Sequence, residues 1–389
     1  MSTPLAWHNV AFLAALAVHV AMVGVLAHNL VYLRQSRTGR GAKQRRASAP
    51  PAVTVLVPAR NEDVNLRRLL PSLAAQRYPD LSVVVVDDAS EDGTWDVLQA
   101  AVPAFADAGH TLHAIRGHGP PAGWLGKPHA LYQATRHARG DLFVFLDADT
   151  DLLDPAALHR LVERFDTCAL ASGADDTVMS GLPRYRDRRG AALLTSLVPF
   201  SILSALPLAL VPRTSAPSVG ALNGQVWAIR ADAYRRLEPH ATHRDDILED
   251  VQIGRTVKRE GLCLHFVDLA DCVSVRMYGS LKEAWHGFRK NAYLLAGGHP
   301  VTFTPLWLCY ALLFVIAPWT ALAFGFPWLL VSLFVLKGTC DLARRLPAWL
   351  PGVVPLVFLL GSTIQFDSAL SHWTGRVAWK GRQIDTDRS

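Results

Sequence analysis

No Asp or Glu occurs before Glu62, whereas Arg34, Arg37, Arg40, Lys43, Arg45, Arg46 and Arg60 lie between positions 34 and 60. Cysteine is scarce as well. The five present (Cys168, Cys263, Cys272, Cys309 and Cys340) are an odd set with no CxxC spacing. That argues against a disulfide framework or a zinc site and suits a reducing compartment. The fifteen histidines contain no HExxH, and they read as ordinary surface or core residues. Charged residues make up only 19% of the chain and hydrophobic ones 50%. That is too apolar for a purely soluble protein and points to membrane segments. The net charge of +6 comes from stretches flanking apolar runs, so a membrane surface is an expected partner and nucleic acid is not.

Long apolar runs are what the chain has instead. Asn9 to Leu33 carries no charge and is long enough to cross a bilayer, and the basic residues from Arg34 follow at once. Positive charge on that side alone predicts an uncleaved anchor with its amino end outside and the next domain in the cytoplasm. Residues 191–212 are apolar but interrupted by Pro199 and Pro207, and read as a membrane-surface segment or an apolar acceptor wall. Further apolar stretches cover about 302–336 and 348–364, and the basic tail with Arg376, Lys380 and Arg382 favours an even number of crossings there. With 389 residues, the expected organisation is a membrane anchor (1–35), a basic linker (36–51), a catalytic domain (52–300), a C-terminal transmembrane region (301–370) and a basic cytoplasmic tail (371–389).

From Ala52 short apolar runs alternate with amphipathic segments. VTVLVPAR, SVVVVDD, TLHAIRG and DLFVFLD read as strands, with helices in VNLRRLLPSLAAQ, TWDVLQAAVPAF and KPHALYQATRHA. This is α/β patterning with a parallel, doubly wound sheet, in which ligands bind beyond the carboxyl ends of the strands. Arg60, Asp87, Asp88, Asp147 and Asp149 all fall at those ends. Asp147 and Asp149 form a DxD after the apolar run 142–146. Side chains two apart on a strand share a face, so this pair suits a hard divalent cation, Mg2+ or Mn2+, shared with substrate phosphates. The blander reading is a solvated loop capping the helix that begins near Asp154-Pro155.

The ordered set VPARNE (57–62), VVDDASEDGT (85–94), GK (126–127), LDADT (146–150), GQ (224–225) and LEDVQIGRTVKREG (248–261) resembles the family 2 glycosyltransferases of GT-A, Rossmann-like fold. The resemblance implies a nucleotide pocket lined by Pro58, Arg60, Glu62, Asp87 and Asp88, with Asp88 on a uracil base. It implies Lys127 near the phosphates, Gln225 in the donor site, and metal at Asp149 and Asp147. In Glu249-Asp250 it makes Asp250 the base for an inverting transfer; a pair of acids favouring the helix dipole is the plain alternative. The QxxRW motif of processive polysaccharide synthases is missing. In its place stand Arg276-Met277-Tyr278, then Gly287-Phe288-Arg289-Lys290-Asn291 and a final VxWKGR (Val377–Arg382). This departure is similar to the membrane-anchored glycosyltransferases of carotenoid pathways (diaponeurosporenoate-type), with hopanoid-associated relatives alike. It implies Arg276, Arg289 and Lys290 on the diphosphate and Tyr278 near the acceptor; a basic juxtamembrane helix is the bland reading.

The expected function is therefore metal-dependent, inverting transfer of one hexose, glucose from UDP-glucose, to a lipid in the bilayer, with a carotenoid or apocarotenoid acid first. The expected location is the cell (inner) membrane, multi-pass, with the catalytic domain cytoplasmic. A hopanoid or other glycolipid transferase, a polysaccharide synthase and a silent nucleotide-sugar scaffold are the alternatives.

Overall fold

The computed structural model describes residues 7–38, 49–173, 176–187, 189–220, 222–379 and 382–383. Most of the linker read at 36–51, and Lys380 of the tail, lie outside them.

The chain opens with helix α1 (Trp7–Thr38). Then comes the expected alternation: β1 (Val53–Ala59), α2 (Asp63–Ala74), β2 (Leu81–Asp87), α3 (Thr94–Asp107), β3 (Thr111–Arg116), α4 (Gly126–His137) and β4 (Leu142–Leu146). A short β5 (Thr150–Leu152), α5 (Ala157–Ser172), β6 (Thr177–Leu182) and β7 (Arg184–Tyr185) follow. Next are α6 (Arg189–Thr195), α7 (Leu197–Ala205), β8 (Val226–Arg230), α8 (Ala231–Leu237), α9 (Pro239–Thr242), α10 (Glu249–Arg259), β9 (Cys263–Asp268) and β10 (Val273–Val275). Helices follow, α11 (Leu281–Leu295), α12 (Pro300–Ala311), α13 (Ala317–Ala323), α14 (Trp328–Ala343) and α15 (Val354–Trp373), and then the short strands Ala378–Trp379 and Arg382–Gln383.

Two compact units emerge. One holds Leu33–Arg184 and Ala209–Arg276; the other holds the chain up to Tyr32, Tyr185–Leu208 and the chain from Met277. The first is built on a seven-stranded sheet ordered β3-β2-β1-β4-β8-β6-β9. Strands β3, β2, β1 and β4 are parallel, as their sequence pattern predicts. Strand β8 runs antiparallel to both β4 and β6, so the sheet is mixed. Valines 83–86 are fully buried, which fits strands covered on both faces. Val53, Val55, Val83 and Val144 pack with Leu66 and Leu69 of α2 and Leu98 and Phe105 of α3. Phe145 of β4 stacks on Trp227 of β8, ring centres 4.0 Å apart. Beneath the sheet, Arg164 donates to both carboxylate oxygens of Asp271 at 2.7 and 2.6 Å.

Among the described residues three helices, lying wholly or mostly in the second unit, are long and apolar enough to cross a membrane: Trp7–Arg37, Pro300–Ala323 and Leu350–Trp373. The middle one passes through a π-turn at Leu312–Ile316 between α12 and α13. It runs antiparallel to α15: Trp307 Nε1 donates to the Ser362 carbonyl at 3.0 Å, and Phe314 stacks on Phe358 at 4.7 Å. Gly190–Ala205 is apolar but shorter, spanning about 24 Å against roughly 30 Å of hydrocarbon. Asn29 of α1 secures the end of that segment. Its amide donates to the Leu203 and Leu206 carbonyls at 2.8 and 2.7 Å, and its Oδ1 accepts the Leu208 N–H at 2.9 Å. One polar side chain thus satisfies three backbone groups where α7 stops before Pro207.

Candidate active site

The loops after β1 and β2 are tied together at the carboxyl edge of the sheet. Arg60 Nη1 donates to the carbonyls of Asp88 (2.9 Å) and Ala89 (2.7 Å), and Nη2 reaches Glu91 at 3.3 Å. Asn61 and Ala89 both have positive φ, 51° and 54°, an uncommon geometry for residues with a Cβ. Hydrogen bonds hold the two in place: Asn61 N–H donates to Ser90 Oγ, and Asn61 Oδ1 accepts from Glu91 N–H. Asp87 accepts the Ser90 N–H at 3.0 Å and is buried, as is Asp88 beside it. Glu62 N–H donates to Thr94 Oγ1 at 2.8 Å, and its carboxylate accepts from Asn65 at 2.6 Å. Pro58 lies within β1, opposite Val86.

At the next strand end, Asp147 begins a turn in which its carbonyl accepts both the N–H and the hydroxyl of Thr150. Its own N–H donates to the Gln225 carbonyl at 3.2 Å. The Asp149 carbonyl accepts the Arg276 N–H at 3.0 Å, which sets Arg276 beside the DxD. Lys127, in the first turn of α4, is the link to the second acidic motif. Its Nζ lies 2.9 Å from Asp147 Oδ1 and 3.1 Å from Glu249 Oε1. Burial alone would lower its pKa, but Asp147, Glu249 and Asp250 outweigh that and hold the ammonium well above the ordinary lysine value.

Asp250 sits at the start of α10. Its Oδ2 accepts the Gly224 N–H at 3.0 Å and its Oδ1 the Val251 N–H at 2.8 Å. Burial, then the neighbouring Glu249, push its carboxyl up to about 6; Lys127 and the two N–H donors oppose this. Gly224 allows a close approach. A Cβ there would lie 3.0 Å from Asp250 Oδ2 and 3.2 Å from Lys127 Nζ. The cleft between these groups is lined by Lys127, Leu131, Gly224, Trp227, His240, Glu249, Asp250 and Ile253.

His240 escaped the sequence reading. Its Nδ1 pairs with Tyr234 Oη at 2.7 Å and its ring packs near Phe145 and Trp227. Burial, then Lys127 and His243, lower its pKa to about 3, so it is a neutral imidazole under the cleft. Only the order Glu238-Pro239-His240 marks it in sequence, and that is no distinctive signal.

Arg60, Asp88, Lys127, Asp147, Asp149, Gln225, Glu249, Asp250 and Arg276 thus all belong to the sheet unit. Lys290 and Tyr278 belong to the other. Lys290 lies on α11, its carbonyl 2.9 Å from His372 Nε2. Tyr278 rests on the same helix at Gly287, where a Cβ would come 2.0 Å from its hydroxyl, and it meets Phe288 edge-on. The Tyr278 and Gly287-Phe288 motifs therefore fit each other. In the final motif, Ala378–Trp379 pairs antiparallel with Arg382–Gln383.

A fit for metal can be judged from the donor set. Among the described residues no group of three or more His, Cys, Asp or Glu converges as a complete cage. Asp147 and Asp149 offer hard carboxylate oxygens only. That suits Mg2+ or Mn2+, which keep water and take substrate phosphates as further ligands.

Residues 54–236 match the family model described as glycosyl transferase family 2. A 4,4'-diaponeurosporenoate glycosyltransferase of Staphylococcus aureus is 25% identical over 355 residues, covering 87% of this chain and 89% of its own. One from Staphylococcus haemolyticus is 23% identical over 273 residues, 68% of each chain. Among solved structures, a mannosyltransferase from Pyrobaculum calidifontis in complex with GDP-Man and Mn2+ aligns with a TM-score of 0.51 at 21% identity. That alignment spans 95% of this chain and 100% of the other, and the likeness is one of fold.

Proposed function

We propose, from the premise that this chain is a family 2 glycosyltransferase, that it moves a single hexose with inversion from UDP-glucose to a membrane lipid, a carotenoid or apocarotenoid acid. The observation carrying this is the Lys127 bridge, which joins the DxD to the Glu249-Asp250 pair in one cleft. Similarity to the staphylococcal glycosyltransferases over most of the chain supports the acceptor class, and the candidate spanning helices support a bilayer-held acceptor.

In this reading Asp88 and the loops fastened by Arg60 receive the nucleoside. Asp147 and Asp149 would hold Mg2+ or Mn2+, which when bound neutralises charge on the leaving diphosphate. The acceptor oxygen attacks the anomeric carbon as the bond from that carbon to the diphosphate breaks. With a hydroxyl acceptor, its proton passes to Asp250, whose raised pKa favours proton uptake near neutral pH. A carboxylate acceptor arrives ionised, and Asp250 then positions it. Lys127 supplies a cation next to the phosphates, and His240 stays neutral below. The basic residues that follow the first apolar run support a cytoplasmic location for the sheet unit.

The test is UDP release by the full chain in membranes, with UDP-glucose, Mg2+ or Mn2+ and candidate lipids, followed by mass spectrometry of the lipid product. A glycosylated carotenoid acid is expected. Nucleotide release without any lipid product, or none under all conditions, would overturn the reading.

A further inference from the structure

Helix α2 lies along β5 in a regular step. Gln76 donates to the Asp154 carbonyl at 3.0 Å, and Ser72 Oγ accepts the Leu152 N–H at 3.1 Å. Four helix residues advance about 6 Å, close to the rise of two strand residues. The same step carried back one turn leads to Arg68 and toward Thr150, directly after the DxD, in agreement with the electrostatic interaction of Arg68 with Asp149 and Asp151. Arg276 reaches the same place from β10, where Val275 pairs with Thr150 and the Arg276 N–H meets the Asp149 carbonyl at 3.0 Å.

The Arg68 guanidinium is aimed from behind. Its Nη2 donates to Asn65 Oδ1 at 2.6 Å, and Asn65 in turn donates to Glu62 at 2.6 Å. Its Nε is buried without a hydrogen-bond partner. Burial, then the like charge of Arg276, lower its pKa, while Asp151, Asp149 and Glu62 oppose them. Asp151 makes no hydrogen bond to it: the Asp151 Oδ2 accepts from Ser274 at 2.9 Å, and its Oδ1 is buried without a hydrogen-bond partner. Two guanidinium groups converge with an unused donor between a nucleotide-side loop and the DxD. The ligand chemistry that resolves this is an oxyanion, which a guanidinium fork matches.

We propose that Arg68, acting with Arg276, binds the phosphate oxygens of the donor's diphosphate beside the DxD. This rests on the donor assignment above. It gives α2 a binding role: the Glu62-Asn65-Arg68 relay links the loop after β1 to the leaving group.

The full chain in detergent, with Mn2+ present, is titrated with UDP and with UMP by calorimetry. Wild type is expected to bind UDP more tightly than UMP. Arg68→Gln should weaken UDP about tenfold and leave UMP within about twofold, with Arg68→Lys in between. A melting curve checks that both variants fold. Equal weakening of UDP and UMP, or unchanged affinity for both, would mean that Arg68 makes no contact with the second phosphate; either overturns the inference alone. If wild type binds neither nucleotide, the donor assignment itself falls.

Discussion

Replacing Asp250 by Asn tests the base assignment through stability as well as rate. The folded-state pKa is about 6 against an ordinary 3.8, a difference worth about 3 kcal/mol. Between those two values the folded chain binds a proton that the unfolded chain has released. Stability therefore falls as pH rises from about 4 through 6, and above that the ionised carboxylate costs the fold about 3 kcal/mol. Asn carries no such charge. It does lose one of the two backbone hydrogen bonds that Asp250 accepts, from Gly224 and Val251, a penalty of about 1–2 kcal/mol that does not vary with pH. The melting-temperature difference, variant minus wild type, should thus grow in the variant's favour between pH 4 and pH 7. Turnover with a hydroxyl lipid should fall about 100- to 10,000-fold, and by much less with a carboxylate lipid. Wild-type turnover on the hydroxyl lipid should rise with pH through about 6. A stability difference that is flat with pH would refute the buried-base argument. Complete loss on a carboxylate lipid, with UDP binding intact, would refute the positioning role.

Gly224→Ala should leave the fold intact yet cut turnover by about 100-fold, because the new methyl must displace Asp250 or Lys127; unchanged steady-state kinetics would contradict this. Lys127→Met leaves Asp147 and Glu249 without their shared cation, and should raise the donor KM while lowering kcat. Chelation should abolish UDP release and added Mg2+ or Mn2+ restore it, with Asp147→Asn demanding about tenfold more metal for half activity. Arg164→Leu strips the partner from a part-buried Asp271. It should lower Tm by several degrees while folded protein keeps its activity per molecule.

The strand-helix alternation was legible up to β4 because Val53–Ala59, Leu81–Asp87 and Leu142–Leu146 are short apolar runs closed by charged loops. Beyond β4 the signal weakens. VWAIR (226–230) has five residues and nothing in its pattern sets its direction, so the antiparallel turn of β8 came only with the structure. Residues 191–212 were ambiguous for a different reason: an apolar run bears the same pattern whether it crosses a bilayer or breaks within one. A usable clue lay elsewhere. Asn29 is a hydrogen-bonding side chain inside an apolar run, and such a group needs partners. Its partners prove to be the broken end of α7.

The site was legible in its carboxylates and opaque in what balances them. Asp147, Asp149, Glu249 and Asp250 stand out because acids at strand ends and helix starts are conspicuous against apolar neighbours. Periodicity cannot say that one lysine answers two of them. Asp147, Glu249 and Asp250 around Lys127 leave an excess of negative charge at a partly buried site, and the Asp250 carboxyl is pushed up by burial first and by Glu249 second. A fold selected only for stability would remove such a surplus. Retaining it makes sense if a divalent cation, and then the phosphates it carries, complete the balance when substrate arrives. Arg68 differs from an ordinary surface cation in one respect: its Nε is a buried donor with no hydrogen-bond partner.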